Sequence, residues 1–109
     1  MDCLFCKIID GQIPATRLFE NEYTVAFADI NPQAPTHILV IPKTHVAGIS
    51  ETTDDTVFAQ TLATLREIAR QRYLSDYRVV INNGAEAGQT VFHLHMHLLA
   101  GRPFAWPPG

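Results

Sequence analysis

The stretch "QTVFHLHMHLLAGR", residues 89–102, sets three histidines at positions 93, 95 and 97 with one apolar residue between each pair. The whole chain has only five histidines. Successive strand residues point to opposite faces, so a strand over 91–101 puts His93, His95 and His97 on one face and Leu94, Met96 and Leu98 on the other. The apolar set serves a core. Imidazoles two residues apart lie about 6.5 to 7 Å from each other, close enough to converge on one ligand.

Working outward, "NNGAEAGQT" (82–90) is a turn leading into the histidine strand, with glycines at 84 and 88. Such a turn directs backbone N–H groups at an anion, and Gln89 and Thr90 add side-chain donors. "YRVVINN" (77–83) reads as the preceding strand. The continuous apolar run "HILVIP" (37–42) reads as a buried strand closed by Pro42. Arg17–Phe19 and Thr24–Phe27 read as two more strands around the turn at Glu20–Glu22. "SETTDDTVFAQTLATLREIARQRYL" (50–74) is the one long helix, capped by Thr52 or Thr53, with Phe58, Leu62, Leu65, Ile68 and Ala69 on its core face. Strands before and after a single helix, without βα alternation, indicate an α+β fold with a mainly antiparallel sheet.

The chain has 109 residues, of which 47% are hydrophobic, and a formal net charge of −3. That suits one domain over 1–109 with a proline-rich, irregular tail at 102–109. No Lys or Arg stripe offers a nucleic-acid surface. There is no apolar run of about 18 residues for a membrane span. The opening "MDCLFCKIID" lacks the basic and apolar regions of a secretory signal, so a cytoplasmic location is expected.

Three readings of the histidine row compete: a polar strand face, a catalytic metal site, and nucleophilic catalysis by one imidazole oriented by the others. The adjacent anion turn favours phosphate chemistry. Cys3 and Cys6 also admit three readings: a redox pair, free thiols, or half of a metal site.

The sequence His93-Leu94-His95-Met96-His97-Leu98-Leu99 resembles the histidine triad motif of the HIT superfamily. The likeness runs end to end, through "FCKII" and "IPA", "AFADINPQAPTHILVIPKTHV" and the closing "WPPG". In these stretches it is similar to the Hint branch of nucleoside phosphoramidases. The resemblance implies a HIT fold with a short N-terminal helix, a homodimer, and hydrolysis of the P–N bond of purine nucleoside 5′-phosphoramidates. It makes His95 the nucleophile, with His97 assisting the leaving group, His93 in the network and His37 orienting the nucleophile's ring. It puts an AMP-like ribose on Asp29 and the base among Phe5, Ile8, Phe27 and Ile30. It implies phosphate donors at Asn82, Gln89 and Thr90, and carries Trp106 across a dimer to the neighbour's site. No cofactor is expected for the chemistry. A structural zinc on Cys3, Cys6, His45 and His93 is implied, a role for His93 that competes with its network role. Superfamily alternatives are a dinucleoside polyphosphate hydrolase, a nucleotidyltransferase, or a nucleotide-binding regulatory or interaction module.

Overall fold

The computed structural model describes residues 2–109. Its elements are helix α1 (Leu4–Ile9), strands β1 (Arg17–Glu20), β2 (Thr24–Ala28) and β3 (Thr36–Pro42), helix α2 (Asp55–Gln71), and strands β4 (Tyr77–Val80) and β5 (Met96–Ala100). The strands form one sheet in the order β1-β2-β3-β5-β4, antiparallel at each pairing. The fold is α+β, as the strand and helix order indicates. Among the described residues no helix is long and apolar enough to cross a membrane.

The alternation of β3 divides the core in two. Ile38 and Val40 join Ala26, Met96 and Leu98 beneath Leu65, Ile68 and Ala69 of α2. Leu39 and Ile41 face the other way and join Val25, Phe27, Phe5 and Ile8, under α1. With helices on both faces, β3 is apolar at consecutive positions instead of alternating. Leu39 pairs with His97 across the β3–β5 ladder, so His97 lies on the α1 side of the sheet.

Three expectations shift. The histidine strand begins only at Met96, and His93 to His95 precede it as irregular chain. Val40 pairs with Met96, so continuing the ladder would set Pro42, which has no N–H, opposite Leu94. Leu94 N–H donates instead to the Val46 carbonyl at 2.7 Å. Helix α2 starts later than read: Asp54 caps it by accepting from Thr56 N–H at 3.0 Å, while Thr52 Oγ1 accepts from Asp54 N–H. Its core face carries Val57, Thr61 and Thr64, and Leu62 is exposed. The threonines are buried at low cost because their hydroxyls are satisfied: Thr61 donates to the Val57 carbonyl and Thr64 pairs with Thr24 at 2.8 Å. Finally, β4 stops at Val80 instead of reaching Asn83.

Candidate active site

The imidazoles lie on the α1 side, where hydrogen bonds to the backbone decide which ring nitrogen carries each proton. His95 Nδ1 lies 2.8 Å from the His93 carbonyl, which only accepts. Nδ1 therefore holds the proton and donates, and Nε2 keeps a free lone pair. His93 Nε2 likewise donates to the Pro42 carbonyl at 2.8 Å, which leaves His93 Nδ1 as a lone pair.

His37 is set the opposite way. Its Nδ1 accepts from Gln33 N–H at 3.0 Å, so its proton is on Nε2. That N–H donates to His97 Nδ1 at 2.9 Å, with Asp29 Oδ2 at 3.3 Å. His97 must then carry its own proton on Nε2. One backbone amide thus fixes, through His37, the donor end of His97. His37 thus contacts His97, while the ring of His95 is held by the His93 carbonyl. His95 and His97 meet edge to face with centroids 5.0 Å apart, and the edge contact of Phe5 with His95 is 5.1 Å. Burial pushes the His97 pKa down to about 4, helped by His95 and His37 and opposed by Asp29. Burial also lowers that of His37 against the pull of Asp29. Both rings are neutral at neutral pH, in keeping with these proton positions.

His93 turns away from this pair toward the N-terminus. Its Nδ1 lies 3.5 Å from Cys3 Sγ, 3.7 Å from Cys6 Sγ and 3.1 Å from His45 Nδ1, and Cys6 Sγ lies 3.4 Å from His45 Nδ1. All four donor atoms fall within 4.8 Å of one another. A tetrahedral zinc with ordinary bond lengths needs about 3.3 Å between nitrogens and about 3.6 Å between nitrogen and sulfur. The donor set, its spacing and the unprotonated His93 Nδ1 fit such an ion. Asp29, His37 and His97 are equally close. They do not suit a metal, because His37 Nε2 bears a proton and its lone pair, on Nδ1, is occupied by Gln33 N–H.

Beside the histidines opens a cleft of about 310 Å³ lined by Phe5, Ile8, Phe27, Leu39, Asp29 and Ile30. Phe5, Ile8 and Phe27 are buried walls, and Ile30 is a fully exposed rim. The cleft thus brings together every residue read as contacting a base or ribose. Ile13 and Leu39 also line it and went unread; Leu39 looks like ordinary core in the run 37–42.

The turn at 84–88 differs from its reading. Gln89 is buried, and its amide is spent inside the protein: Nε2 donates to the Ala47 and Val91 carbonyls at 2.6 and 3.1 Å, and Oε1 accepts from Gly84 N–H at 2.8 Å. It clamps the turn and has no amide hydrogen pointed at an anion. Thr90 is exposed and lines a separate cleft of about 480 Å³ with Asp2, His45 and Phe92. Asn82 is half-buried against Gly88. Trp106 is 83% exposed and does not line this chain's cleft. The tail before it is held by Arg78, which donates to the Ala105 carbonyl at 2.9 Å, and by Phe104 packed under Arg102.

The sequence profile of the HIT domain matches residues 10–104. The chain belongs to the HIT family. An uncharacterized HIT-like protein of Synechocystis is 50% identical over 111 residues, covering 99% of this chain and 97% of its own. A 14 kDa zinc-binding protein of Zea mays is 46% identical, covering 97% of this chain and 87% of its own. The crystal structure of a HIT family hydrolase from Legionella pneumophila superposes with a TM-score of 0.94 at 49% identity, covering 99% of this chain and all of the other. The HIT histidines 93, 95 and 97 are therefore divided here between two clusters, one with the cysteines and one with Asp29.

Proposed function

We propose that this HIT chain is a purine nucleoside phosphoramidase that cleaves the P–N bond of nucleoside 5′-phosphoramidates. The observation that carries the reading is the opposed proton placement on neighbouring rings. His95 presents a lone pair on Nε2, and His97 presents an N–H. The base lies in the apolar cleft and the ribose hydroxyls donate to Asp29, which sets the α-phosphorus over His95. Nε2 attacks phosphorus and the P–N bond breaks, while the leaving nitrogen accepts a hydrogen bond from His97 Nε2–H and takes its proton from solvent to depart as an amine. Water then attacks phosphorus, loses its proton to solvent, and breaks the P–Nε2 bond. The monophosphate leaves and the starting state returns.

The hydrolase name of the Legionella neighbour and the zinc-binding name of the maize relative support this reading. Cys3, Cys6, His45 and His93 would hold a zinc ion. A closed two-sulfur, two-nitrogen set keeps no open position for substrate, so the ion would supply structure and not chemistry. A homodimer fits the unpaired edge of β4, where Tyr77 and Val79 are each 37% exposed. An AMP-like ligand and a cytoplasmic setting complete the reading.

The test is turnover of an adenosine 5′-phosphoramidate bearing a fluorescent amine, with a His95→Ala variant alongside. Amine release by the wild type, lost in a variant that still binds AMP, is expected. Equal release by both, or binding without release by the wild type, overturns the reading.

A further inference from the structure

His93 joins two clusters that are otherwise separate. Its ring is held at both nitrogens, by the Pro42 carbonyl and by the cysteine–histidine set. Its own carbonyl fixes the His95 proton on Nδ1. A single residue lies between, and Leu94 N–H is pinned to Val46, the residue after His45. Phe5 braces the same segment, with ring contacts of 5.9 Å to His93 and 5.1 Å to His95. Phe5 sits in α1, whose cap is Cys3 Sγ accepting from Cys6 N–H at 3.4 Å. Three segments of chain thus meet at four donor atoms, and the nucleophile hangs from one of them.

We infer that Cys3, Cys6 and His45 are positioning residues for His95: by holding the His93 ring they aim its carbonyl at His95 Nδ1 and keep the attacking Nε2 unprotonated. A bound zinc would lock the four donors together. With the ion absent, thiol contacts of 3.4 to 3.7 Å are weak restraints, and the Pro42 carbonyl is the one firm ring partner left to His93. Its carbonyl then moves off His95, whose ring is free to take the Nε2–H form that cannot attack. Outer partners of functional histidines act in this way, and their loss typically costs 10- to 100-fold. The inference rests on His95 being the nucleophile.

The experiment uses full-length protein labelled with 15N at histidine, in three forms: zinc-loaded wild type, chelator-stripped wild type, and Cys6→Ser. A fourth, Cys6→His, restores a ligand. Long-range 1H–15N spectra read the His95 tautomer, backbone spectra check the sheet, and kcat and KM are measured separately on the phosphoramidate. The loaded wild type should show a single Nδ1–H tautomer. The stripped and Cys6→Ser forms should show a mixture, with kcat down at least about tenfold and KM changed far less. Cys6→His should recover both. A folded, metal-free protein that keeps a single Nδ1–H tautomer and full kcat overturns the inference. If the tautomer follows the metal but no form releases amine, the positioning stands and the phosphoramidase reading fails.

Discussion

Gln89→Ala separates a clamp from a phosphate donor. The side chain is 4% exposed and makes three hydrogen bonds, to the carbonyls of Ala47 and Val91 and from Gly84 N–H. Truncation leaves those backbone groups without their partner in a space that solvent enters poorly. At about 1 kcal/mol for each neutral hydrogen bond, the loss comes to roughly 2 to 3 kcal/mol. Gly48 adds to the constraint, since a Cβ there would meet Asn83 Oδ1 at 2.6 Å and Gln89 Oε1 at 3.4 Å. The turn is packed to fit this amide. With a urea slope of about 1.5 kcal/mol per molar, the unfolding midpoint should fall by roughly 1.3 to 2 M. Gln89→Glu should fall similarly, because it exchanges the N–H donors for a carboxylate facing two carbonyls. Urea titration followed by circular dichroism measures both. A midpoint unchanged to within about 0.3 M, together with weakened AMP binding, would refute the clamp and return Gln89 to the phosphate.

Asp29→Asn should weaken AMP binding by about 10- to 100-fold, the worth of a charged hydrogen bond to the ribose, as read by calorimetry; unchanged affinity would remove Asp29 from the nucleotide site. His97 has a folded-state pKa of about 4 against the ordinary histidine value of 6.5, so the unfolded chain binds a proton first as pH falls. Stability should therefore decline from about pH 6.5 toward pH 4 and be flat above, a trend that urea midpoints across that window would check and that His97→Asn should make shallower without abolishing it, because burial lowers His93 to about 4 as well. Gly101→Ala should cost about 1 to 3 kcal/mol, because its φ is +99° and a Cβ would sit 2.8 Å from Pro35 Cβ. Gly84→Ala, at φ +98° with nothing within 4 Å, should cost less, and urea titration of both variants measures the difference.

What could be read in advance followed from side-chain pattern. The period of two at Leu94, Met96 and Leu98 marked buried positions, and each is at most 2% exposed. The run at 37–42 marked the doubly covered strand. The family resemblance grouped Phe5, Ile8, Phe27 and Asp29, and these side chains do line one cleft. What went unread was decided by backbone groups. The carbonyls of His93 and Pro42 and the amide of Gln33 set the histidine protons, and any residue supplies such groups, so no letter announces them. The same limit explains Gln89: a glutamine beside glycines looks like a free donor until the carbonyls that consume it are in place. On α2, apolarity placed Leu65, Ile68 and Ala69 on the buried face but missed Thr61 and Thr64, which are buried through satisfied hydroxyls, and wrongly included the exposed Leu62.

The most direct test of the account is to mix the protein with an adenosine 5′-phosphoramidate, quench within the first turnovers, and map the modified peptide by mass spectrometry. An adenylyl group on His95, absent in His95→Ala and retained in His97→Asn, is the predicted result. A working enzyme with no adduct at any time, or an adduct on His93 or His97, would contradict it.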